Sequence, residues 1–245
     1  MLERAGYLVF GILTIACVWE AAIRLFEIPP FILPPIASIL GAVWDFFPSL
    51  MRGLAATLKV AGIGYVAGSL VAVALAVAMT LVPLLERIFK PVIVAINSVP
   101  VVAYVPLSLV WFGMGSGSKI AMVMLAAGFS VFVNALQGLK AIDRSAIDLF
   151  RSFGAGPLRI VWMLRLPAAL PAIITGLRVA VVRSMIIAIV AEMLGAYEGL
   201  GRIIYESTQQ IEFLKVWAAV VVASAASMLI YGLLVLTDRH LVWWR

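Results

Sequence analysis

The sequence is poor in chemically active side chains. Across 245 residues it has one histidine, His240, and one cysteine, Cys17. A disulfide within the chain is excluded, and metal clusters or imidazole chemistry have almost no material. Charged residues make up 12% of the chain, against about a quarter in soluble domains. No G-x-x-x-x-G-K-[ST] loop is present. The glycine-rich GMGSGSK at 113–119 has no Gly-Lys pair and reads as a flexible turn. No metal ligands and no catalytic residues are assigned.

Apolar residues are abundant instead. They form 64% of the chain, and the mean hydropathy is +1.14. They fall in long runs such as YLVFGILTIACVW (7–19) and VAVALAVAMTLV (71–82). A helix rises about 1.5 Å per residue and the hydrocarbon core is about 30 Å thick, so about 20 apolar residues span it. The reading is an all-α membrane protein, one transmembrane domain over 1–245, with about six spans. They are expected near 7–26, 54–82, 90–112, 119–138, 171–194 and 214–236. The second is long enough to tilt. The third contains Pro91, Pro100 and Pro106 and is expected to be kinked or broken, because proline removes a donor and clashes one turn back.

The net charge of +6 would suggest nucleic acid in a soluble protein, but here the basic residues lie between apolar runs, as membrane topology demands. With the N-terminus in the cytoplasm, the inner side holds Arg4, Arg87, Lys90, Lys140, Arg144, Arg151, Arg159, Arg165, Arg239 and Arg245. The outer side holds Arg24, Arg52, Lys119, Arg202 and Lys215. This imbalance places both termini in the cytoplasm. The N-terminal run lacks a small-residue cleavage site, with Trp19, Glu20 and Arg24 where one would fall, so an uncleaved first span is the better reading.

Two stretches between spans have helical patterning. After Pro35, residues Ile36, Ile39, Leu40, Val43, Trp44 and Phe47 share one face. This segment is too short to span and reads as an interfacial helix, with a re-entrant piece or packed loop helix as the alternative. The loop 139–170 is expected on the cytoplasmic side. Within AIDRSAIDLFRSF, the residues Ile142, Ala146, Leu149, Phe150 and Phe153 lie on one side. Gly154 and Gly156 can supply the positive φ that ends a helix, and Pro157 suits the start of the next. An amphipathic helix flanked by arginine has the form of a docking element.

That loop resembles the signature of bacterial binding-protein-dependent import permeases, E-A-A, three residues, G, nine residues, I-x-L-P. Asp148, Leu149 and Phe150 stand at E-A-A, Gly154 at the glycine, and Leu164, Leu166 and Pro167 at I, L and P. Asp for Glu and Leu-Phe for Ala-Ala are departures. LPPIASIL (33–40), Ser98–Ala121, Leu166–Ala180 and AEMLG…GLG (191–201) are similar, in order, to the nitrate/sulfonate/taurine/bicarbonate branch of ABC importer permeases. The resemblance implies a type I importer permease fold in the bacterial inner membrane. It implies a second permease copy, two cytoplasmic ATPase subunits carrying ATP and Mg, and an extracytoplasmic substrate-binding protein. The permease itself would bind no cofactor and catalyse nothing. Ala146, Asp148, Leu149, Phe150, Arg151, Phe153, Gly154, Leu164, Leu166 and Pro167 would couple it to the ATPase.

Five residues are candidates for the translocation pathway: Asn97, Ser98, Pro100, Arg183 and Glu192. An arginine at the centre of a span costs about 2.5–3.5 kcal/mol on insertion scales and should face protein or water. Arg183 is therefore either a cationic wall for anions or half of a structural ion pair, although Glu192 is too far along the helix to pair with it directly. Arg178 suits snorkelling or anchoring. Glu192 either lines an outer gate or holds the following loop. Asn97, Ser98, Asn134 and Gln137 read more readily as interhelical hydrogen-bonding residues than as ligands. Glu20 and Arg24, four apart, are spaced for a helix pair. A stand-alone secondary transporter is the competing function, but it leaves the docking helix unexplained and no internal repeat supports it. A membrane enzyme lacks paired carboxylates. The substrate is expected to be a small anion such as nitrate, a sulfonate, taurine or bicarbonate, with a pyrimidine precursor of thiamine as the alternative.

Overall fold

The computed structural model describes the backbone of residues 2–241. Side chains are described from Tyr7 to Leu236, apart from those of Leu8, Val9 and Ile12. The side chains of Arg4, Arg239 and His240, and all of Arg245, lie outside the described residues, so part of the charge count that sets the expected orientation has no structural counterpart.

Every regular element among the described residues is helical: α1 (Leu2–Leu25), α2 (Ile36–Asp45), α3 (Phe47–Leu81), α4 (Pro83–Ser98), α5 (Val105–Phe112), α6 (Ser116–Lys140), α7 (Arg144–Ser152), α8 (Pro157–Ile160), α9 (Leu166–Gly195), α10 (Leu200–Gln209) and α11 (Phe213–Leu241). Four stretches are long and apolar enough to cross a membrane: Phe47–Leu81, Ser116–Lys140, Pro157–Gly195 and Phe213–Leu236. The bent pair α4–α5 makes a fifth, and the 24-residue α1 corresponds to the first expected span.

The helices overrun the expected apolar windows. Helix α3 starts at Phe47 rather than near residue 54, because Pro48 sits in its first turn, where a missing N–H costs nothing. Hydropathy marks the part of a helix that meets lipid; Ser49 and Arg52 extend this one beyond it. The third window is two helices that meet at 90°. Val99, forced extended by the proline that follows (φ −87°, ψ 133°), ends α4, and a 3-10 turn at Val101–Tyr104 starts the new direction.

The core forms where α3, α6 and α9 cross. Ala72, Ala76 and Met79 of α3 meet Ala127, Val131, Ala135 and Leu139 of α6 and Ala169, Ile173 and Ala180 of α9. Small residues allow this closeness. A Cβ on Gly68 would lie 2.6 Å from the Met124 carbonyl oxygen, and one on Gly176 would lie 2.9 Å from Asn134 Cβ. In lipid, such contact replaces the hydrophobic drive that water would supply.

A second cluster joins α2, α3, α10 and α11 through Ala42, Leu50, Leu200, Ile204, Ala219 and Val222. The apolar face expected of α2 is divided. Ile39 is buried with Ala42, while Leu40 and Trp44 are exposed, Trp44 by 80%. Glu20 has a different partner from the one expected: its Oε1 accepts the Ile36 amide at 2.9 Å, and it makes no ion pair with Arg24. A carboxylate is better placed at the positive N-terminus of α2 than beside an exposed arginine. Trp19 stacks edge-on against Trp217 at 5.1 Å and donates to the Pro34 carbonyl at 3.0 Å, tying α1 to α11 and to the turn before α2.

Candidate functional site

Helix α7 projects from the bundle with no fully buried residue. It starts at Asp143 and closes with a Schellman turn. The Ala155 amide donates to the Phe150 carbonyl at 3.0 Å, and the Gly154 amide to Arg151 at 2.8 Å, with Gly154 at φ +75°. Only glycine holds that conformation without strain. Gly156, the other glycine expected to supply a positive φ, has φ −73° and sits before Pro157. Ile142 precedes the helix and is not on its face.

The expected docking face divides in two. Leu149 (56%) and Phe153 (80%) are exposed, whereas Ala146 and Phe150 are half-buried. Asp148, expected to face a partner, pairs with Arg151 of its own helix at 3.3 Å, a contact of small energy because both are well exposed. Beyond it, Val161–Arg165 forms a π turn that hydropathy and local spacing do not mark. Pro167 explains it. Lacking an N–H and clashing one turn back, it cannot continue the α ladder, so the Leu166 amide bonds to Val161, one residue further. Leu164 and Leu166 therefore sit at a change of helix type, with Leu166 packed against the core. Arg165 donates to the Leu139 carbonyl at 3.4 Å, joining this segment to the end of α6.

The pathway candidates lie in three separate places. Asn97, Ser98 and Pro100 lie at the α4–α5 bend. Asn97 borders an apolar cavity of about 540 Å³ with Gly68, Phe112, Phe129 and Phe132. Ser98 Oγ is engaged with the Val94 carbonyl at 2.9 Å. Arg183 is exposed on α9, beside a recess of about 430 Å³ shared with Thr175, Arg178, Val182 and Tyr231. It makes no ion pair with Glu192.

Glu192 is 1% exposed. Its Oε2 accepts from the Thr57 hydroxyl at 2.8 Å and from the Gly201 amide at 3.0 Å, while Thr57 Oγ1 accepts the Leu200 amide at 2.9 Å. The N-terminus of α10 is thus capped by α9 and α3, since its own capping residue, Gly199, has no side chain. Gly199 is at φ +120°, and a Cβ there would strike the Glu192 carboxyl group. This contact accounts for the first glycine of GLG; a Cβ on the second, Gly201, would strike the Ile189 carbonyl oxygen. Lys119, counted as an outer-side charge, is 3% exposed and donates to the carbonyls of Met114, Gly115 and Gly195. Sequence reasoning did not single out Thr57 or Lys119 as parts of one site. A lysine one turn into an apolar helix was the available signal.

A bundle with a broken helix beside a cavity and a short helix held outside it is the architecture of a membrane-transport subunit. Comparison with known proteins defines it further. The chain belongs to the family of binding-protein-dependent transport system inner membrane components, whose model matches residues 64–242. It is 32% identical over 234 residues to the formylaminopyrimidine transport permease protein ThiX of Halalkalibacterium halodurans, covering 95% of this chain and 93% of the relative. It is also 32% identical over 251 residues to the taurine transport system permease protein TauC of Escherichia coli, covering 99% and 91%. With taurine and aliphatic-sulfonate permeases among its relatives, it falls in the branch its motifs resemble. The solved MetNI methionine ABC transporter shares its fold, with a TM-score of 0.61 at 19% identity over 78% of this chain and 98% of that one. The chain is a multi-pass ABC importer permease subunit of the expected type I fold.

Proposed function

We propose that two copies of this chain form the translocation pathway of an importer for a small anion, such as a sulfonate or taurine. Two cytoplasmic ATPase subunits would drive it, and an extracytoplasmic binding protein would deliver the solute. ATP and Mg bind to the ATPases; this chain carries no catalytic residue. Both termini and α7 face the cytoplasm.

The protruding α7 carries the reading. Exposed Leu149 and Phe153 are costly to leave in water, and burying a Phe contributes about 1.5–3 kcal/mol. A cleft on an ATPase would cover them. The anion reading rests on Arg183, a cation exposed along α9 beside a recess. A pyrimidine precursor is the second reading, favoured by the equal 32% identity to the formylaminopyrimidine permease.

The test is ATP hydrolysis by the complete complex in proteoliposomes, with its binding protein loaded with taurine, an alkanesulfonate or an aminopyrimidine. Stimulation by a sulfonate alone supports the anion reading; stimulation by the pyrimidine alone replaces it. Loss of all ATPase association from this chain would overturn the importer reading itself.

A further inference from the structure

The end of the bundle where α3 passes into α4 carries a charged recess of about 870 Å³, lined by Glu86, Arg87, Lys90 and Lys140 together with Pro91 and Val94. Glu86 is the only acid in it. Its carboxylate holds Lys140 at 2.5 Å and reaches Lys90 at 3.7 Å. Arg87 has no ion-pair or hydrogen-bond partner among the described residues. Three cations against one carboxylate leave two positive charges at the rim of a membrane-crossing bundle. An unanswered guanidinium forks naturally onto two oxygens of a phosphate.

The neighbouring surface of α4 identifies the kind of phosphate. Leu84, Ile88 and Val92 recur every fourth residue and are all at least half exposed, forming an apolar stripe beside the recess. A soluble anion would use the cations and leave this stripe bare. A phospholipid uses both, with its headgroup on Arg87 and Lys90 and its chains along Ile88 and Val92. The charges of Pro83–Ser98 end at Lys90, where the apolar run of the bent α4–α5 pair begins, which puts the recess at the polar end of a candidate span whichever way the chain is oriented.

We infer that the Glu86–Arg87–Lys90–Lys140 recess is a binding site for the phosphodiester headgroup of an anionic membrane phospholipid. Glu86 acts as its organiser: by fixing Lys140 and drawing in Lys90, it presents a shaped cationic surface rather than loose side chains. The inference needs only that these helices cross a membrane. It is independent of substrate and of the ATPase.

Native mass spectrometry of the full-length chain, released from bilayers of equal phosphatidylglycerol and phosphatidylcholine, tests this. The wild type should retain phosphatidylglycerol preferentially. Arg87→Gln and Lys90→Gln should each reduce that preference about five-fold, the usual contribution of one cation at an anionic surface. Arg52→Gln, which removes a cation from the second turn of α3, at the other end of that helix from the recess, should leave it unaltered. Arg87→Lys, which keeps the charge and loses the fork, should fall between, and it remains informative if Arg87→Gln fails to fold. Absence of preference in the wild type, or its retention in both Gln variants, overturns the site. Equal binding of the chain-free headgroup glycerophosphoglycerol, measured by calorimetry, would make it a soluble-anion site and overturn the lipid assignment.

Discussion

Burying the carboxylate of Glu192 costs several kcal/mol unless donors answer it; its Oε2 has two, the Thr57 hydroxyl and the Gly201 amide, while its buried Oε1 has none among the described residues. The result is mechanical. A distant helix, α3, and two consecutive ones, α9 and α10, are joined at one point, which fixes α10 against α3 and α9. Glu192→Ala should lower stability by about 1–3 kcal/mol, seen as a lower thermal midpoint in detergent. Gly199→Ala should do the same, since it combines a φ of +120° with a collision. Thr57→Ser keeps the hydroxyl and should be tolerated. Equal stability of all four proteins would remove Glu192 from this role. Of the two sequence readings of Glu192, a holder of the following loop matches these contacts; its partners were invisible because they lie 135 and 9 residues away. Arg183 is the opposite case, a cation left exposed. If it draws anions, Arg183→Gln should cut uptake about ten-fold while basal ATP hydrolysis persists, and unchanged uptake would end the pathway role.

Among the elements, α7 and its turn were the most legible in the sequence. Amphipathic spacing, a glycine after the last turn and a proline beyond it are local signals, and local signals fix a Schellman turn. Gly154→Val should strain that turn and misdirect α7. Fluorescence from a probe at residue 153 should shift, while circular dichroism of the bundle stays the same. The orientation of each residue on α7 was less legible, because whether Phe150 or Phe153 faces outward depends on how the helix leans against the bundle. The α4–α5 break was readable from Pro100 and Val99, although Pro91 and Pro106, equally suspect, are accommodated within or at the start of helices. The π turn was not readable: it arises from a competition between Pro167 and the ladder behind it, which hydropathy does not register.

At the scale of the whole molecule, orientation can be read directly. In a Cys17→Ser background, Ser145→Cys and Gln209→Cys place exposed thiols on either side of α9. An impermeant maleimide should label the first only from the cytoplasm and the second only from outside; same-side labelling would overturn the topology. The central claim is that this permease receives work through α7, and the most direct measurement concerns its two outward apolar residues. Leu149→Asp with Phe153→Asp places charge on the proposed contact, in a helix whose own fold does not need those side chains buried. The measurement is pull-down of the ATPase together with binding-protein-stimulated hydrolysis in proteoliposomes. The account predicts loss of both with the membrane helices still folded; full retention of both would contradict it.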